Sequence, residues 1–83
     1  MSVRLFVLAS VHETMRAEET LRTRGVRCRT IPKPRVVRAD CGLALVCPTE
    51  AGDRARSILT AAGIEPAADL TYTPKRGGLF DHG

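Results

Sequence analysis

Pro32 and Pro34 flank Lys33 near the middle of an 83-residue chain. Each fixes its own φ and lacks an N–H, so Ile31-Pro32-Lys33-Pro34-Arg35 can neither lie inside a helix nor continue a central strand. The stretch reads as a stiff, extended loop. Before it, Val26 to Ile31 alternates Val26, Cys28 and Thr30 against Arg27, Arg29 and Ile31, which predicts a strand at or near a sheet edge with one buried and one largely basic face. After it, Gly42 to Cys47 is a nearly unbroken apolar run that predicts a buried strand. The prolines thus divide the chain into two halves joined by a hairpin whose loop runs from Pro32 to Asp40.

Each half supplies a strand and a helix. Val3 to Ala9 is apolar on both faces after Arg4, which suits a central strand. Ser10 and Glu13 have capping-box spacing, and a helix is expected over Val11 to Arg24, with Val11, Thr14, Met15, Glu18, Leu21 and Arg22 as its inward stripe and Gly25 as its left-handed terminator. Glu18 and Arg22 can pair at i, i+4. In the second half Thr49 is the expected cap of a helix whose apolar stripe is Ala51, Ala55, Ile58, Leu59 and Ala62, and Gly63 closes it. A fourth strand is expected over Leu70 to Thr73, since Pro66 excludes a central ladder position before it. The order strand, helix, strand, strand, helix, strand predicts an α+β, ferredoxin-like split βαβ fold: a four-stranded antiparallel sheet with two helices on one face. The domain spans 1–74, and the glycine-rich segment 75–83 reads as a mobile tail.

Right-handed crossovers then bring the upper end of the first strand, the start of the first helix and the hairpin loop together. Cys41 falls near Ser10, Val11 and His12. A helix N-terminus carries unpaired N–H groups and roughly half a positive elementary charge, so it favours an anion such as a thiolate. Arg35 and Arg38 add positive charge from the loop, Asp40 opposes it, and His12 can move a proton. Spacing alone leaves this reading level with one in which Cys41 is a small apolar residue at a strand start. Cys28 and Cys47 share faces with Val26 and Thr30 and with Leu43 and Leu45, so both read as core. Cys47 lies roughly 20 Å down the strand from Cys41 at about 3.3 Å per residue, well beyond the limit of about 7 Å for a disulfide. Cys41 therefore has no resolving partner within the chain.

Composition narrows the classes. Three cysteines with no CxxC spacing signal neither a disulfide framework nor zinc, and point to a reducing compartment. The apolar run Leu5 to Ala9 is too short for a signal segment or a membrane span, which favours the cytoplasm. The net charge of +4 reflects the crowding of Arg22, Arg24, Arg27, Arg29, Lys33, Arg35 and Arg38, either a solvated face or a surface that draws anions. Against a nucleic-acid module, the sequence has no Gly-aromatic RNA-binding motif and only Phe6, Tyr72 and Phe80 as aromatics. An interaction domain pairing through an open sheet face is a further alternative, and a homo-oligomer stays open. His12 and His82 share no metal spacing with a carboxylate cluster, and no phosphate-cradling loop or cofactor motif appears.

Ser10-Val11-His12, Ala17-Glu18, Ile31-Pro32-Lys33-Pro34-Arg35 and Cys41-Gly42-Leu43-Ala44-Leu45 together resemble the small bacterial domain family called selenium/sulfur carrier protein-like. The similarity runs from about Phe6 to Thr73. It implies a carrier rather than a turnover enzyme, in which Cys41 holds selenium or sulfur as a persulfide or selenopersulfide. It further implies Ser10, His12, Arg35 and Gly42 as binding residues, no cofactor, and two protein partners: a chalcogen donor of cysteine desulfurase or selenocysteine lyase type, and an acceptor enzyme. The chain departs from the family pattern at Val11, where a threonine is usual, at Thr14, where an alanine is usual, and at Arg38-Ala39-Asp40, where small serines precede the cysteine.

Overall fold

Ser10 ends the first strand and starts the first helix: its backbone is extended, and its hydroxyl oxygen accepts the Glu13 N–H at 3.1 Å, satisfying one of the free donors at the helix start. The computed structural model describes residues 2–74, and the segment read above as a tail, 75–83, lies outside the described residues. The elements are β1 (Val3–Val7), α1 (Val11–Thr23), β2 (Arg29–Pro32), β3 (Leu43–Pro48), a short 3-10 turn (Thr49–Ala51), α2 (Gly52–Ala61) and β4 (Ala68–Tyr72). The sheet runs β2-β3-β1-β4 with every pair antiparallel, the ferredoxin-like split βαβ arrangement. β1 is central, as its two apolar faces require. Register places Phe6 opposite Leu45 on one side and Asp69 on the other.

Both helices end in the same way. Gly25 and Gly63 have φ of +81° and +77°, and the following residues turn back to the helix, Val26 N–H to Leu21 O at 2.9 Å and Ile64 N–H to Leu59 O at 2.8 Å. Gly25 and Gly63 themselves donate to Arg22 O and Thr60 O, both at 3.0 Å, which completes a Schellman motif at each end. Because Val26 is spent on this cap, β2 starts at Arg29 rather than at Val26.

Two further expectations are corrected. Thr49 does not cap α2: its hydroxyl donates to Ser2 O at 2.7 Å, and α2 starts one turn later behind Ala51, without a side-chain cap. The buried line of α1 is Thr14, Ala17 and Leu21, whereas Val11 and Met15 are 51% and 62% exposed. Small residues at 14 and 17 let the helix lie close against the sheet, and the larger side chains stand at its rim. The Glu18–Arg22 pair forms at 3.3 Å.

The sheet has an apolar cluster on each face. Phe6, Leu8, Leu21, Leu45, Leu59 and Ile64 fill the helix side together with Cys28 and Cys47. On the other side Val3, Leu5, Val7, Ala44 and Val46 pack with Val37 and Cys41 of the hairpin loop. Burial of these side chains is the main stabilising term, at roughly 25 cal/mol per Å² of apolar surface.

At the lower end Arg4 crosses the start of α2. Its guanidinium meets Asp69 through Nε at 2.5 Å and Nη2 at 3.0 Å, Asp53 through Nη1 at 3.0 Å, and lies 5.5 Å over the Phe6 ring. Arg56 adds a bond to Asp69 at 2.7 Å and one to Glu65 at 2.6 Å. Gly52 makes room for this: a Cβ there would come within 2.9 Å of Arg4 Cγ. Gly52→Ala is expected to displace Arg4 and cost about 1–3 kcal/mol in urea unfolding; an unchanged midpoint would show that Arg4 can move freely. The flanking guanidinium of Arg4, and after it that of Arg56, hold the Asp69 carboxyl below its ordinary range. That contribution is complete above the unfolded carboxylate's pKa and fades as pH falls through the depressed native value. The stability gap between the native chain and Asp69→Asn should therefore narrow on acidification, and a gap that stays constant with pH would refute the assignment.

Candidate functional site

The hairpin loop is tied at its base and in its middle. Lys33 N–H donates to Gly42 O at 2.8 Å just beyond the β2–β3 ladder, Lys33 Nζ donates to Val37 O at 2.7 Å, and Val37 N–H donates to Pro34 O at 3.0 Å. Val37, 5% exposed, plugs into the far-side cluster. With the loop so anchored, Arg38, Ala39, Asp40 and Cys41 line a cleft of about 340 Å³ with Leu8 and Ala9 from the end of β1 and Ala67 ahead of β4. Ala67 is held there by its N–H to Val7 O at 2.7 Å. A second cleft of similar size, about 350 Å³, lies between α1 and α2 and is lined by Glu19, Thr20, Thr23, Arg24, Ile58, Ala61 and Ala62, with no thiol among them.

Cys41 is 7% exposed, with its Sγ 3.8 Å from Thr14 Oγ1, within hydrogen-bond range for sulfur. Thr14 Oγ1 in turn donates to Ser10 O at 2.8 Å. The thiol therefore meets the first turns of α1, as the crossover argument required. Ser10 reaches it indirectly, through its carbonyl and Thr14, while its own hydroxyl serves the helix cap. Gly42 follows the thiol and closes the loop base; its position has open space for a Cβ. His12 and Arg35 are exposed, and neither lines the cleft. The loop cation on the cleft wall is Arg38.

Cys28 and Cys47 differ in kind. Both lie in the helix-side cluster, and burial pushes both thiols up, Cys47 to about 11, with Glu18 adding to the effect at Cys28 and Cys28 to that at Cys47. Such thiols stay protonated at neutral pH and are poor nucleophiles. Phe6 is fully buried, and the far face of the sheet is largely aliphatic with Tyr72 half-buried, so the described residues offer no aromatic platform for stacking bases. Among the described residues no cluster of three or more His, Cys, Asp or Glu could hold a metal ion, and no helix is long and apolar enough to cross a membrane.

Sequence reasoning missed Thr14 and Ala67 as neighbours of the thiol. Thr14 carried a signal, since a threonine on the inward line of a helix, four residues after the cap, is placed to bond back to the cap carbonyl and meet whatever packs on that turn. Ala67 carried none, because its place depends on the β1–β4 register.

No curated protein and no solved structure matches the chain. The model of the family described as "Putative Se/S carrier protein-like" matches residues 4–68, a span that takes in all of β1 but its first residue, α1, the hairpin loop and every residue lining the thiol cleft, and the chain belongs to that family.

Proposed function

We propose that the protein relays sulfur or selenium between two other proteins, holding it on Cys41 as a persulfide or selenopersulfide. The observation that carries this reading is the position of Cys41: it lines a cleft of about 340 Å³, and its sulfur meets Thr14 beside the start of a helix. Membership of a selenium/sulfur carrier family supports it independently.

In the loading step the Cys41 thiolate attacks the outer chalcogen of a donor persulfide. A bond forms between Cys41 Sγ and that atom, the donor's own bond to it breaks, and the electron pair leaves on the donor cysteine. The Cys41 sulfur is oxidised as the donor sulfur is reduced, and the proton lost by Cys41 balances the one taken up by the donor thiolate. No external oxidant or reductant enters. Discharge to the acceptor repeats the exchange in the opposite sense. The donor is a protein of cysteine desulfurase or selenocysteine lyase type, the acceptor an enzyme that consumes the chalcogen, and the setting a reducing cytoplasm.

Arg38 on the cleft wall steadies the loaded anion against the opposing charge of Asp40 on the same wall, and the N–H groups that follow Ser10 add the field of the helix start. His12 and Arg35, exposed on the first turn of α1 and on the loop, face the incoming partner rather than the sulfur. Gly42 holds the loop base through its carbonyl.

Intact-mass measurement after incubation with a persulfide donor tests the reading. The native chain should gain the mass of one sulfur atom, reversibly by thiol reductant, and Cys41→Ser should gain none. Equal loading of the native chain and Cys41→Ser would overturn it.

A further inference from the structure

Thr14 is a fully buried polar residue of α1, and its hydroxyl carries one hydrogen and two lone pairs. That hydrogen goes to Ser10 O at 2.8 Å, which leaves the oxygen to accept from the Cys41 S–H at 3.8 Å. Ser10 O also receives the Thr14 backbone N–H at 3.0 Å. The carbonyl would therefore stay satisfied if the hydroxyl turned away, and no buried acceptor would be orphaned by the turn.

We infer that Thr14 is a two-state hydrogen-bond partner of the Cys41 sulfur. While Cys41 is a thiol, Thr14 accepts its proton's hydrogen bond; when Cys41 gives up that proton through the cleft to water, the Thr14 hydroxyl rotates about Cβ–Oγ and donates to the thiolate. The hydroxyl hydrogen stays on Thr14 throughout, and the electron pair stays on sulfur. A hydrogen bond to a charged group stabilises it more than one to a neutral group, so the turn favours the form of Cys41 that attacks. The inference rests on the carrier reading for its biological purpose, but not for its chemistry.

Three variants of the full chain test it by two readouts, the alkylation rate of Cys41 with iodoacetamide and the S–H stretching band of Cys41, assigned by difference from Cys41→Ser. Thr14→Val keeps the shape and removes the hydroxyl, Thr14→Ser keeps the hydroxyl, and Thr14→Ala repeats the deletion should the valine variant fail to fold. Loss of the hydrogen bond that Thr14 gives to the attacking sulfur should slow alkylation by about three- to tenfold in Thr14→Val or Thr14→Ala. Thr14→Ser should return to within about twofold of the native rate. The hydrogen-bonded position of the S–H band should persist in Thr14→Ser and be lost in the other two. A native rate without the hydroxyl, or a serine variant as slow as the alanine one, overturns the inference. Should the native Cys41 alkylate as described yet take no sulfur from a persulfide donor, the carrier reading falls and the Thr14 inference stands.

Discussion

The whole site depends on β3 lying between β1 and β2. Once β3 runs antiparallel to both, the carboxyl end of β1, the start of α1 and the loop from β2 to β3 must share one end of the sheet. A cysteine at the end of that loop is then delivered to the first turns of α1 with no special contact needed to bring it there. The local ties refine the position: the Lys33 and Val37 bonds fix the loop's path, and the Val37 side chain fills part of the far face of the sheet that the helices leave uncovered. Arg4 and its carboxylates hold the opposite end, so the features that secure the fold and those that form the cleft are separated along the sheet.

That separation lets the three cysteines have different fates in one small domain. Cys28 and Cys47 serve as small apolar groups under the helices, where desolvation keeps them protonated. Cys41 is almost as hidden by area, and exposure alone would not distinguish it. What sets it apart is its neighbours: a cleft with an arginine on its wall, the end of β1, and a buried hydroxyl.

Much of this was legible in the chain because it rests on local chemistry. Ser10, Gly25 and Gly63 announced their roles through residue type alone, since an N-cap needs a side-chain acceptor and a Schellman motif needs a left-handed residue. The prolines announced the loop, and element order announced the fold. The errors arose where tertiary packing outweighed local preference. Thr49 looked like a cap, yet Gly52 has to sit where Arg4 crosses, and the helix starts there instead. Val11 and Met15 looked like the inward face of α1, yet the close approach to the sheet selects Thr14 and Ala17. Thr14 stood on the expected inward stripe, but its contact with Cys41 depends on the three-dimensional path of the loop, as does the place of Arg38, rather than Arg35, on the cleft wall.

The most direct test of the account is a comparison of alkylation rates at the three cysteines of the folded protein, read peptide by peptide by mass spectrometry at neutral pH. Cys41 should be modified well before Cys28 and Cys47, which react only as the protein unfolds. Equal protection of all three, or faster modification of Cys28 or Cys47, would contradict it.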